Sequence, residues 1–493
     1  MRLILSWTTW ITAIVAAVVV ALLALRVYDT ERGPPLEAWH TYSPPELTGE
    51  ALARADWQTY LAAEAKIFDA VRTEVTGKLE AEERVPFNRY FDGSPIYPPR
   101  LPKDWNRSYV LEPSGPPVGA AVFLHGLTDS PYSLRHIARR YRDHGFLALA
   151  IRLPAHGTTP AALTDVEWED WTAATRLAVK EARRRAPTGP LHVVGFSNGG
   201  ALAMKYALEA IGDETLPRPH RLVLISPMIG ITEFARFAGL AGLPALLPAF
   251  AKSAWLARVP EFNPFKYNSF PVNGARQSFL VTQALQAQLV RYEREGKLDR
   301  LPPILTFQSV MDFTVSTPAI VSALYARLPA NGSELVLFDV NRTEKFGPLL
   351  RPSADAALAR VLSAPPRRYR TTVVANADDR TQNTVARTVE AGETTEQTTA
   401  LGVNYPPGLY SLSHVALPFP MNDPLYGLTP DGTEHYGVEL GALAPRGERN
   451  VLIASLDALL RASSNPFFDY MLGRIEQGID GRSATAAEAQ SPR

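Results

Sequence analysis

The sequence predicts an α/β chain built on a doubly wound, mostly parallel sheet with helices on both faces. Three observations predict it. Short apolar runs rich in leucine and β-branched residues recur from about residue 119 onward, and a longer amphipathic stretch follows each one. The apolar runs are continuous and do not alternate with polar residues, as strands buried on both faces must be.

At 493 residues the chain can bury one large core or two modest ones. Basic and acidic residues balance at 50 each, so charge gives no sign of a nucleic-acid partner or an acidic macromolecular substrate. There is no cysteine, which removes disulfides, thiolate catalysis and Cys-ligated zinc together.

Taken in order, the first element is an uncharged stretch, Leu3 to Leu25, bounded by Arg2 and Arg26. At about 1.5 Å per residue it is long enough to cross a hydrocarbon core of about 30 Å, so residues 1–26 predict a transmembrane anchor. A cleaved signal peptide competes with this assignment, but no A-x-A pattern closes the stretch: Ala21 and Ala24 are three apart. Cations lie on both sides, and the short leading tail favours export of the bulk of the chain. Residues 27–47 are proline-rich and predict an extended linker. In the extension 48–104, Trp57, Tyr60, Leu61, Ile67, Phe68, Val71 and Val75 fall on one helical face, with Glu64 expected at the rim of its contact.

From 105 to 480 the strand and helix patterns alternate. "GAAVFLHG" (119–126) predicts a strand, "SLRHIARRYRDHG" a helix, "FLALAIRLP" a strand, and "EWEDWTAATRLAVKEARRRA" a helix. "PLHVVGFS" follows as a strand, "NGGALAMKYALEAIG" as a helix, and "HRLVLISPM" as a strand. Residues 481–493 predict a disordered tail.

Ser197 ends one of these strands and precedes a helix, with Gly195 and Gly199 on either side. The chain must reverse there within a residue or two, which puts the serine on a sharp, strained turn with its hydroxyl above the sheet. Side chains at the flanking positions would clash in so tight a turn. The first N–H groups of the helix, that of Asn198 foremost, point at charge developing beside the serine.

A serine hydroxyl needs a general base, itself oriented by a carboxylate. If the order along the chain is Ser, acid, His, the acid is best placed at Asp312, just after the strand in "PILTFQSV", with Asp339 in "ELVLFDV" as its rival. Of nine histidines only His414 and His435 lie beyond Asp312. His414 sits in a loop of small and proline residues and is favoured; His435 lies in a hydrophilic stretch nearer the C-terminus. A second oxyanion donor is expected from the N–H of Leu127, after the turn His125-Gly126.

Together, "FLHGLTDSPYSLRHIARRYRDHGFLALAIRLPAHGTTP", "GFSNGGALA", "SVMDFTV" and "SLSHV" resemble the α/β-hydrolase superfamily, and within it the lysophospholipase and monoacylglycerol-lipase-like serine hydrolases. The resemblance covers about 105–330 and returns at 405–430. It implies Ser197 as nucleophile, Asp312 and His414 as its partners, the backbone of Leu127 and Asn198 as oxyanion hole, and no cofactor or metal.

The chain departs from that pattern in two places. Where such proteins carry Asp-x-Arg-Gly-His-Gly, it has Arg152-Leu153-Pro154-Ala155-His156-Gly157. The acid-to-histidine separation is also long, with 341–405 predicted as an insertion comprising a strand and a threonine-rich excursion. Between the strand ending near 226 and Asp312, the apolar, Gly- and Pro-broken stretch 228–259 predicts a lid, extending to about 300. Its surface would suit an acyl chain or a membrane edge. The expected function is a membrane-anchored carboxylic ester hydrolase acting on a small ester or lipid-like substrate. Other acyl transfer on the same triad, or a catalytically idle binding module, are the alternatives.

Overall fold

Ten strands join in one sheet in the computed structural model, which describes residues 2–230, 242–343, 356–443, 461 and 463–480. In chain order these are β1 (Tyr109–Leu111), β2 (Gly119–Leu124), β3 (Phe146–Ile151), β4 (Leu191–Phe196) and β5 (Arg221–Ile225). After a separate two-stranded ribbon, β6 (Trp255–Ala257) and β7 (Phe270–Pro271), come β8 (Ile304–Ser309), β9 (Glu334–Phe338), β10 (Arg370–Asn376), β11 (Asn383–Val389) and β12 (Glu396–Asn404). The order across the sheet is β1-β3-β2-β4-β5-β8-β9-β10-β11-β12. Every neighbouring pair from β3 to β10 is parallel, while β1 and the β11–β12 hairpin are antiparallel. From β2 the chain moves to one side to form β3, then crosses to the other to form β4. That reversal opens a crevice at the carboxyl ends of β2 and β4, where α/β sheets place their ligands.

The main helices are α1 (Arg2–Arg32), α2 (Trp57–Glu74), α3 (Arg135–Asp143), α4 (Trp168–Arg185), α5 (Asn198–Gly212), α6 (Val272–Arg294) and α7 (Phe468–Ile479). Two apolar cores lie on opposite faces of the sheet, and the strand residues divide between them by parity. Val122, Leu124, Leu191 and Val193 pack with α4, α5 and α6. Ala121, Phe123, Val194 and Phe196 pack with α3 and with Phe468, Met471 and Ile475 of α7. This is the doubly wound, mostly parallel sheet that the continuous apolar runs predict.

In the N-terminal extension, Trp57 and Tyr60 of α2 join the first of these cores. Glu64 departs from expectation: it is only 3 % exposed and does not sit at a rim. It accepts hydrogen bonds from Ser108 N at 3.1 Å and Ser108 Oγ at 2.7 Å, and Arg152 Nε lies 3.2 Å away. A carboxylate can be buried only with partners, and Arg152, beyond the end of β3, supplies the charge.

Residues 27–47 also differ from a bare extended linker. The first helix continues to Arg32, and a one-turn helix at Ala38–Thr41 buries Trp39 and His40. Trp39 stacks on Tyr90 with ring centroids 5.3 Å apart.

Much of the stretch 228–300, expected as a lid, packs on the core instead. Residues 231–241 lie outside the described residues. From Val272 the chain forms α6, whose Val281, Leu285 and Leu289 are buried in the core shared with α5. Apolar periodicity alone does not separate a lid helix from one that covers the sheet. The 341–405 stretch carries three strands: β10 extends the sheet in parallel, and β11 and β12 return as a hairpin. Residues 344–355, 444–460 and the tail 481–493 lie outside the described residues.

Candidate active site

Ser197 stands between β4 and α5 with φ +54° and ψ −115°, a backbone conformation costly for any residue with a side chain and one that other contacts must hold. Those contacts are present. Ser197 N donates to Ile225 O at 3.0 Å, and Ser197 O accepts from Gly200 N and Met228 N, each at 3.0 Å. The flanking glycines are needed for space. A Cβ on Gly195 would lie 2.3 Å from Gly199 O, and one on Gly199 would lie 2.0 Å from Leu124 O. Helix α5 can therefore start pressed against β2 and β4 only if both positions are bare.

His414 reaches the same region from a loop beyond the last strand. Its Nδ1 is 2.8 Å from Asp312 Oδ2, and the carboxylate is completely buried. The other oxygen of Asp312 accepts from Thr314 N at 2.8 Å and Val315 N at 3.0 Å. Burial alone would raise the pKa of Asp312. The neighbouring His414 and these N–H donors outweigh burial and hold it below the ordinary carboxylate value. The His414 ring stacks on that of Phe196, the residue before Ser197, with centroids 5.3 Å apart. Ser309 Oγ donates to Leu412 O at 2.8 Å and ties the histidine loop to the end of β8.

The rivals are occupied elsewhere or lie apart. Asp339 is buried against Arg342, with Nε 3.0 Å from its carboxylate. His435 is exposed.

The turn after β2 lies against Ser197. A Cβ on Gly126 would sit 3.3 Å from Ser197 Cβ, which brings the backbone leading into Leu127 beside the serine. Asn198 opens α5, so its N–H has no partner within the helix. His125 shapes this turn: its Nδ1 is 2.9 Å from Gly126 O, and its Nε2 accepts from Leu153 N at 3.0 Å. The second bond is the neutral ring's work, and burial pushes the His125 pKa well below its usual value.

Sequence reasoning missed two contributors. Gln308 Nε2 donates to Asp312 Oδ2 at 3.1 Å and to Thr317 Oγ1 at 2.9 Å, steadying the carboxylate from below. Phe196 supports the histidine ring. A glutamine inside the otherwise apolar strand "ILTFQS" was the available signal, because a buried amide must have partners. Among the described residues no group of three or more His, Asp or Glu side chains is arranged to hold a metal ion.

Residues 115–341 match the sequence profile of the family described as "Serine aminopeptidase, S33". That match agrees with the sheet order, the strained serine turn and the Asp312–His414 pair. This chain has the α/β-hydrolase fold. The matched stretch contains Ser197 and Asp312 and ends before His414. The chain is 27% identical to the thermostable monoacylglycerol lipase of Bacillus sp. (strain H-257) over 245 residues, 49% of this chain and 84% of the relative. Among solved structures, that of a soluble variant of the monoglyceride lipase from Saccharomyces cerevisiae is 12% identical, with a TM-score of 0.36, covering 47% of this chain and 81% of the other. A structure from a study of LipS and LipT, two metagenome-derived lipolytic enzymes, is 21% identical, with a TM-score of 0.37, covering 53% and 98%.

Proposed function

We propose that this α/β hydrolase cleaves carboxylic esters through an acyl-enzyme intermediate on Ser197. One observation carries the proposal: a serine held at φ +54° at a strand–helix turn, one residue from a phenylalanine whose ring supports a histidine paired with a buried carboxylate. In this reading His414 Nε2 takes the Ser197 proton as the hydroxyl attacks the ester carbonyl. Asp312 holds Nδ1 and stabilises the imidazolium that forms. The oxyanion is received by the N–H groups of Leu127 and Asn198. His414 then returns the proton to the departing alcohol, and water repeats the sequence to release the acid.

The substrate proposed is lipid-like, of monoacylglycerol or lysophospholipid type. The 27% identity to a monoacylglycerol lipase supports it, as does the apolar character of the stretch after β5. We place α1 in a membrane as a single-pass anchor, with the catalytic domain on the exported side. Trp10–Arg32 has a mean hydropathy of 2.5 and no part of its most apolar stretch is buried.

The family's description leaves peptide hydrolysis as a second reading, and one experiment separates the two. The full chain is assayed against p-nitrophenyl esters from acetyl to decanoyl and against aminoacyl p-nitroanilides, beside Ser197→Ala. Ester turnover that rises with acyl length and is abolished in the variant supports the proposal. Turnover of the anilides alone would replace it with the peptidase reading, and ester turnover retained in Ser197→Ala would overturn the serine assignment.

A further inference from the structure

The end of helix α1 is fastened to the segment that follows strand β5. Four interactions join them. Thr30 Oγ1 and Ser253 Oγ are 3.1 Å apart in a buried contact. Arg258 Nη2 donates to Thr30 O at 2.7 Å, and Lys252 Nζ donates to Glu31 O at 3.1 Å. Arg26 donates to Trp255 O. The joint continues past the helix: His40 Nε2 is 3.0 Å from Ser269 Oγ, and the His40 ring meets Trp255 edge-on at 4.8 Å.

The partly or fully buried positions at this end of α1 are Leu23, Arg26, Val27 and Thr30, which share one helical face. Leu23 precedes the first cation of the helix end, Arg26, so it belongs to the apolar span. Seven residues separate Leu23 from Thr30, or roughly 10 Å of axis at about 1.5 Å per residue. A segment docked along that face therefore stands beside the last turn of the span, at the depth where hydrocarbon meets headgroups. Its outward residues suit that depth. Leu247 is 59% exposed and Leu256 is 39% exposed, while Lys252 and Arg258 of the same segment hold the end of α1. Apolar side chains flanked by cations are the pattern of a surface that rests in a lipid interface.

We infer that α1 is a bracket as well as an anchor: it seats residues 247–258 in the lipid surface, so that the catalytic crevice takes its ester directly from the membrane. This rests on α1 spanning the membrane and on the ester-hydrolase reading, and the tests keep their failures apart. The chain has no cysteine, so introduced thiols report without background.

In full-length protein reconstituted in phosphatidylcholine vesicles, Thr30→Cys/Ser253→Cys should form an internal disulfide under mild oxidation. Bimane attached at Leu247→Cys should be quenched by brominated phosphatidylcholine. Leu247→Asp/Leu256→Asp should lower hydrolysis of monooleoylglycerol held in the vesicles by about tenfold or more. It should leave p-nitrophenyl acetate turnover within about twofold. Absence of the disulfide, absence of quenching, or equal effects on both substrates each overturns the inference. Release of the full chain from vesicles at alkaline pH would refute the anchor and the bracket together. Quenching with no ester turnover by the unmodified protein would keep the bracket and remove its catalytic purpose, which overturns the second half of the inference alone.

Discussion

Asp312 and His414 are joined at 2.8 Å across 102 residues of sequence. The pairing survives that separation because both ends are tied to the sheet. Asp312 follows β8 directly, and the histidine loop is fastened to β8 through Ser309 Oγ and to the end of β9 through Asn341, whose N and Nδ2 donate to Tyr410 O and Leu409 O, each at 2.8 Å. The intervening strands β10 to β12 extend the sheet edge without entering the crevice. Asp312→Asn should therefore leave the fold intact and lower kcat by about 10⁴, because the amide can no longer hold the productive imidazole tautomer. Ester kinetics with circular dichroism as a folding control checks it, and a loss under tenfold would remove Asp312 from the mechanism.

The two downstream histidines should separate sharply. His414→Ala should fall with Ser197→Ala, each losing on the order of 10⁴ to 10⁶ in kcat, because a triad acts as one unit. His435→Ala should retain turnover, since that residue is exposed and plays no part in the Asp312 pair. A dead His435 variant with an active His414 variant would reverse the assignment.

The pair Glu64–Arg152 makes a stability prediction. Arg152 is 1% exposed and is shared between Glu64 and Glu46, whose Oε1 lies 2.8 Å from Nη1. Replacing Glu64 with alanine leaves a buried guanidinium short of one partner, at a cost of about 3–5 kcal/mol. The melting temperature should drop while the remaining folded protein keeps its kcat, because no atom of this pair belongs to the serine site. An unchanged melting temperature would mean that water replaces the carboxylate.

Much of this was legible from residues alone, and the failures have physical causes. The parallel sheet follows from continuous apolar runs such as "FLALAI", and the serine turn from the spacing of Gly195, Ser197 and Gly199. Asp312 and His414 are legible from order along the chain together with local context, a position just after a strand for the one and a loop of small and proline residues for the other. Glu64 misled because a lone charge on an apolar helical face looks like a rim residue; its partner Arg152 is 88 positions away. Helix α6 misled for a similar reason: an amphipathic helix inside a lid and one lying on the core have the same periodicity, and only the contact with α5 distinguishes them.

Acid should weaken the fold through histidines buried in neutral form. Burial lowers the pKa of His156 to about 4 and that of His192 to about 3, and it holds His125 well below its usual value. The unfolded chain titrates near 6.5, so it takes up these protons first as pH falls. Stability is full above about 6.5 and declines toward 4, by up to about 1.4 kcal/mol per pH unit for each histidine. Melting curves at pH 7 and pH 5 test this, and a transition that does not move between them would contradict it.

The serine turn should tolerate no added methyl group, and a distant glycine supplies the comparison. At Gly199 a Cβ would press within 2.0 Å of Leu124 O, a backbone atom of β2 that cannot swing away. Gly199→Ala must therefore push the start of α5 off the sheet. Overpacking of this kind costs about 1–3 kcal/mol. It also displaces the N–H of Asn198 from the oxyanion position proposed above, so kcat should fall by about a hundredfold or more even where the protein stays folded. Gly473 lies inside α7 with nothing within 4 Å of its added Cβ. Gly473→Ala should stabilise the chain by about 0.5–1 kcal/mol and leave kcat unchanged, since alanine favours the helix and meets no neighbour. If Gly199→Ala retained full turnover, α5 would have room to shift, and the glycines beside Ser197 would owe their presence to something other than the close approach of α5 to β2.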